Sequence, residues 1–238
     1  MISIVFAHTP ETYDALVQQL WTAGTTGIIE HASTVEAFFE EDPKLTHLNP
    51  LNITQTEDID WEQYTKDSFP PAEVGSRFYL APPWCEDETP HGRIRLVITP
   101  GLACGTGYHP CTRLCLEALE RHLKPGMKLL DVGAGSGILS IAAHHLGAYP
   151  IACDIDVDAI PYCDTPLKFA GSTDAVKPQS FDAIVANISA ATNIELWPEY
   201  KRVARPGATI ILSGFEEFTP PVPPRQQLEH DGWLCCVF

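Results

Sequence analysis

The chain has 238 residues, 45% of them hydrophobic, enough to bury a full α/β core with material left for a smaller lobe. Fifteen basic against 31 acidic residues give a formal charge of −16 with no lysine- or arginine-rich stripe to offset it locally, which excludes nucleic acid as an expected partner. No run approaches the roughly 20 apolar residues of a membrane span, and "MISIVFAHTPETYD" lacks the basic start and small-residue cleavage site of a signal peptide, so a cytoplasmic protein with no membrane partner is expected.

In chain order, "ISIVFA" reads as a strand, "TPETYDALVQQLWTAG" as a capped amphipathic helix ending at Gly24, and "TGIIEHASTVEAFFEE" as two strands around a polar break. These make a small β-α-β-β lobe over residues 1–56. Residues 57–98 are rich in proline and polar side chains with little periodicity, and read as a linker and irregular segment. From residue 99 to 238 the order becomes regular. Leu116, Leu119 and Leu123 share one helical face, and Pro125-Gly126 stops that helix. "KLLDV", "PIACD", "FDAIVAN" and "ATIILSG" are short apolar runs of the kind that sit in a sheet buried on both faces. Asp231-Gly232 between two strand-like runs signals a hairpin. The fold class expected is therefore α/β, a doubly wound, mostly parallel, Rossmann-like sheet with one antiparallel strand at its end, preceded by a small α+β lobe.

Chemistry concentrates at "LLDVGAGSGILSIAAHHLG", a strand, a glycine-rich turn and a helix start. Glycines let a ligand approach backbone where a β-carbon would collide. A P-loop is excluded because Gly135 is followed by Ser136 and Gly137 rather than Lys and Ser/Thr, and a dinucleotide fingerprint fails because Ile138 stands where the third glycine belongs. The next strand ends in "CDID", which places Asp154 at the carboxyl edge, where a carboxylate can accept both ribose hydroxyls. An adenosine-containing cofactor follows. Asp131 either belongs to the binding loop or caps backbone groups of the turn.

"DVGAGSG" resembles the acidic-x-G-x-G-x-G loop of class I S-adenosylmethionine-dependent methyltransferases, with Asp131, Gly133, Gly135 and Gly137 at its marked positions. "TPGLACGTGYHPCTRLCLEAL", residues 99 to 119, resembles the segment before that loop in the ribosomal-protein methyltransferase family called PrmA, which modifies protein eleven of the large subunit. "VANISA", residues 185 to 190, resembles the A-N-I-L-A signature of the same family, and "RPGATIILSGF" its next strand. The resemblance implies S-adenosylmethionine as cofactor, contacts to it from Thr112, Gly133, Asp154 and Asn187, and methyl transfer to lysine or N-terminal amines of a basic protein, most naturally that ribosomal protein. It implies an orienting role for Asn187, and His109 stands where an acceptor could be met. On the residues alone, Thr112 could equally cap its helix, Asn187 shape a turn, and His109 be a satisfied loop residue.

Two departures from the family stand out. Pro161 breaks the helix expected after Asp154, so the adenine wall is assigned to "FAGSTDAV", with Ser172, Thr173 or Asp174 near the base. Only the first half of the family's N-terminal domain is evident, which leaves a small-molecule amine as an alternative acceptor. A NAD-dependent oxidoreductase and a catalytically dead binding module are the readings from other classes. Cys104, Cys111 and Cys115 cluster, but without a C-x-x-C pair or histidine partner spacing, and no metal site is expected; the eight cysteines read as cytosolic thiols.

Overall fold

The computed structural model describes residues 1–31, 33–99 and 107–238, and the chain divides into two compact units, Met1–Ser68 and Phe69–Phe238. In the first, β1 (Ile2–Ala7) leads into α1 (Pro10–Thr22), then β2 (Gly27–Glu30), β3 (Thr34–Phe39), β4 (Asn52–Gln55) and α2 (Trp61–Ser68). The helix start follows from Pro10 at its first position and from Thr12 Oγ1, which accepts the Thr9 amide at 2.9 Å; Gly24, with φ +86°, turns the chain after it. Alternation in β1 and β3 sends Ile4 and Phe6 to the same face as Val35, Ala37 and Phe39, and Leu20 of α1 closes that core.

The strand order is β2-β3-β1-β4, with every pair antiparallel. Strand β4 is absent from the sequence reading because all four of its residues are exposed at the sheet edge, so no apolar alternation marks it. Helix α2 was hidden in the same way, with no buried residue, although Asp60 marks its start by accepting the Gln63 amide at 2.9 Å. Trp61 packs edge-on to Phe38, 5.2 Å between ring centroids, on the face of the sheet away from α1.

Residues 57–98, expected to be irregular, thus hold α2 and also a three-stranded sheet of β5 (Ala72–Val74), β6 (Phe78–Ala81) and β7 (Ile94–Val97). Strands of three or four residues are too short to show a period. This sheet belongs to the second unit: Val74, Phe78, Leu80 and Leu96 share a core with Leu116 and Leu119. Glu120 ties it down by accepting the Ser76 and Arg77 amides, each at 3.0 Å.

The remainder runs α3 (Pro110–His122), β8 (Lys128–Val132), α4 (Ile138–His145), β9 (Tyr149–Asp154), β10 (Lys168–Ala170), β11 (Phe181–Asn187), α5 (Ala190–Val203), β12 (Ala204–Phe215), β13 (Gln226–His230) and β14 (Trp233–Val237). The seven strands are ordered β10-β9-β8-β11-β12-β14-β13, parallel from β10 to β12. Leu129, Ala183, Val185 and Ile211 enter one core with α3 and α4, while Leu130, Ile184, Ala186 and Leu212 enter the other with Trp197, Tyr200 and Val203 of α5. A sheet buried on both faces explains why these strands read as unbroken apolar runs. The reversed strand is last in the chain but not at the sheet's edge: β14 lies between β12 and β13, antiparallel to both. Asp231 (φ +50°) and Gly232 (φ +81°) make the hairpin turn, whose two left-handed positions suit this pair. Strand order reverses direction of growth between β8 and β11, which opens a crevice at their carboxyl ends.

Candidate functional site

A cavity of about 1010 Å³ occupies that crevice. Its floor is the turn after β8, where Gly133, Gly135 and Gly137 all have positive φ, at +69°, +51° and +78°. Four of the turn's amides are already committed. Gly133 and Ala134 donate to the Cys153 carbonyl at 2.9 and 3.1 Å, Gly137 donates to the Ala134 carbonyl at 2.8 Å, and Gly135 donates to Asp154 Oδ2 at 3.0 Å. A phosphate group needs several unpaired amides, and this turn does not offer them. Close approach of a neutral ligand to the backbone is what the glycines provide.

Asp154, half-buried at the end of β9, is fixed at both oxygens: Oδ2 by Gly135 and Oδ1 by the Asp156 amide at 3.0 Å. Each oxygen keeps lone-pair capacity on the cavity side, the arrangement a ribose diol requires. Asn187 ends β11, and its Nδ2 donates to Thr112 Oγ1 at 3.1 Å. That bond pins the carboxamide and leaves Oδ1 as an acceptor with no hydrogen bond to a described residue. Thr112, 1% exposed in the first turn of α3, is therefore both a cavity wall and the support of Asn187.

His109 caps α3, its Nδ1 accepting the Cys111 amide at 3.3 Å, and its ring meets Trp233 edge-on at 4.5 Å. Burial lowers its pKa, so the ring is neutral at pH 7 with its proton on Nε2. Gly133 is glycine for a second reason: a β-carbon there would come 2.5 Å from Ile188 Cγ2, and Gly214 meets the backbone of the same Ile188 from another side.

Not every expected residue reaches the cavity. Asp131 is 1% exposed behind the turn, where Oδ2 accepts the Ser140 hydroxyl at 2.7 Å, so it fastens β8 to α4. Burial outweighs that hydrogen bond and pushes its carboxyl up to about 6. Gly137 caps α4 and faces the Cys163 thiol. Of the three residues proposed for the adenine side, Ser172 lines the cavity with Gly171; Thr173 is buried with its hydroxyl unpartnered among the described residues, and exposed Asp174 is not on the wall. Trp233, Tyr162, Ile155, Ile188 and Leu196 line the cavity without having been expected. Ile155 follows Asp154 directly and could have been read from that position; Trp233 and Leu196 arrive only by folding.

Cys111 forms part of the wall, and burial pushes its thiol up. Among the described residues no group of three or more His, Cys, Asp or Glu is placed to hold a metal ion, and none of their helices is long and apolar enough to cross a membrane. Residues 100–106, which carry Cys104 and the start of the signature before α3, lie outside the described residues. A glycine floor, a fixed carboxylate and an apolar wall fit the adenosine part of S-adenosylmethionine.

The model of the family described as Ribosomal protein L11 methyltransferase (PrmA) matches residues 17–217. The chain is 33% identical to the ribosomal protein L11 methyltransferase of Deinococcus radiodurans, over 94% of this chain and 87% of that one. It is 36% identical to the Thermus thermophilus protein of the same name, over 87% and 83%. Among solved structures, a ribosomal protein L11 methylase from Lactobacillus delbrueckii subsp. bulgaricus superposes with a TM-score of 0.62 at 24% identity, covering 70% of this chain and 96% of that one, and shows the same fold.

Proposed function

The chain belongs to the ribosomal protein L11 methyltransferase family, and from that premise we propose that it transfers methyl groups from S-adenosylmethionine to lysine or N-terminal amines of ribosomal protein L11. The cofactor supplies a methyl group on a sulfonium, a leaving group that needs no further activation. What remains for the protein is to hold the adenosine part, to present a neutral amine and to align the two.

Asp154 accepts the ribose hydroxyls, with Gly133 and Gly135 beneath and Ser172 beside it. The observation that carries the reading is Asn187, whose Oδ1 stays open because Thr112 holds the other end of the carboxamide. An acceptor fixed in this way orients an amine N–H. Neutralising an ordinary lysine, pKa about 10.4, costs roughly 4.6 kcal/mol near pH 7, whereas proximity and alignment supply about 7 to 11 kcal/mol. No strong base is required, and the one carboxylate among the described residues that is held up, to about 6, is Asp131, which lies behind the turn. Neutral His109 puts no positive charge beside an incoming cationic side chain.

Twelve acidic and two basic residues fall within 1–68, a charge balance suited to holding a basic protein, and we assign substrate recognition to that unit. We further propose that the chain acts in the cytoplasm and without nucleic-acid or membrane partners, a reading supported by the 31 acidic against 15 basic residues. The paired amides of the glycine turn speak against a dinucleotide. Calorimetry tests this directly: S-adenosylhomocysteine binds and NAD does not, and Asn187→Ala loses methyl transfer by far more than it weakens that binding. Binding of NAD, or unchanged turnover in Asn187→Ala, would reject the assignment.

A further inference from the structure

The crossover from β9 to β10 supplies one wall of the cavity and departs from what a parallel sheet normally uses there, a covering helix. Between Asp154 and Lys168 there is a single 3-10 turn, Ile160–Tyr162, with Pro161 inside it. Without a helix, Ile155 and Val157 are left 80% and 63% exposed.

The segment is nonetheless anchored to the glycine turn. The Asp164 amide donates to the Ser136 carbonyl at 3.3 Å, and the buried Cys163 thiol packs so closely on Gly137 that a β-carbon there would come within 2.7 Å of the sulfur. Lys168 Nζ donates to the Cys163 carbonyl at 2.6 Å. Tyr162 directly precedes this anchor. It lines the cavity, is 50% exposed, and has no hydrogen bond from its hydroxyl to another described residue. A large aromatic residue at the cavity wall, with no described residue bonded to its hydroxyl, offers a face to a flat partner.

The cavity wall divides by chemistry. Thr112, Asn187 and His109 make one polar part, while the crossover contributes the flat or apolar side chains of Ile155, Ala159 and Tyr162 together with the carboxylates of Asp156 and Asp158. A ribose fixed on Asp154, where the crossover begins, has a flat base to place and the side chains of Ile155, Ala159 and Tyr162 next to it. We propose that Tyr162 is the stacking residue for the adenine, taking the place of the absent helix; this rests on the cofactor reading above. Ser172 alone, on the opposite loop, has too little surface to cover a purine.

Base–aromatic stacking corresponds to about 5- to 150-fold in affinity on alanine substitution. Calorimetry of S-adenosylhomocysteine with the full chain should therefore show Tyr162→Phe within about threefold of wild type and Tyr162→Ala weakened by about 5- to 150-fold. The same ratio is expected for 5′-methylthioadenosine, which keeps the base and lacks the amino acid. Tyr162→Leu, which retains apolar bulk without a π face, should bind like the alanine protein and guards against a folding defect in it. Unchanged affinity in both Tyr162→Ala and Tyr162→Leu, or equal losses in the phenylalanine and alanine proteins, would overturn the assignment while leaving the cofactor reading intact. A wild type that binds neither ligand would overturn both.

Discussion

In Phe69–Phe238 the central strands of a seven-stranded sheet are covered on both faces and its five parallel strands point their carboxyl ends to the side of one crevice, whereas in Met1–Ser68 four antiparallel strands keep one apolar core, a fully exposed edge at β4, and twelve acidic residues against two basic ones. A doubly covered parallel sheet fixes loops at its ends and suits a ligand that must be held in one pose. A small antiparallel sheet with a charged surface suits a macromolecule recognised over an area. The contrast separates cofactor binding from substrate choice, and each substitution below is aimed at one side of it.

The largest effect is expected at the turn. Gly135 has φ +51°, and its amide holds Asp154, so Gly135→Val strains the backbone and displaces the carboxylate together. Binding of S-adenosylhomocysteine should fall below detection by calorimetry; a normal isotherm would make the turn merely structural. Deleting residues 1–68 probes the other side. Cofactor affinity should stay within a few-fold while methylation of ribosomal protein L11 disappears, and a truncated chain that still methylates the protein would remove substrate recognition from that unit.

Asp154→Ala ranks next. Two hydrogen bonds to a charged group are worth about 1.5 to 3 kcal/mol each, less what water restores, so affinity for S-adenosylhomocysteine should drop by roughly 10- to 1,000-fold. The same dissociation constant in a folded Asp154→Ala protein would break the ribose assignment.

How much of this was legible in the sequence follows the same contrast. The glycine turn, Asp154 and Asn187 were readable because each sits at a fixed offset from a strand end, a local property. Asp131 and Gly137 belong to the same motif yet point behind the turn: a strand sends successive side chains to opposite sides, and a helix cap faces its own helix. Trp233 reaches the cavity through sheet order, since β14 is inserted beside β12, and no spacing near residue 109 announces it. In the small unit β1, α1, β2 and β3 carried clear periods, while β4 and α2 bury nothing and so left no pattern to read.

The smallest effect is a pH dependence from Asp131. Burial raises its carboxyl from 3.8 to about 6, so between those values the folded chain keeps a proton that the unfolded chain has lost. Stability from this group is therefore full below about pH 4 and declines as pH rises through 6, by up to about 3 kcal/mol. Asp131→Asn retains an acceptor for Ser140 and lacks the ionisation. Its melting temperature should exceed that of wild type at pH 7.5 and match it near pH 4; a constant difference across that range would contradict the buried titration.

The central claim, an adenosine cofactor site serving amines of a basic ribosomal protein, is tested most directly by incubating the full chain with isotopically labelled S-adenosylmethionine and unmethylated ribosomal protein L11, then mapping the label by mass spectrometry. Label on lysine or N-terminal amines of that protein is the predicted result. Its absence there, in a chain that binds S-adenosylhomocysteine and labels a free amine, would contradict the protein substrate.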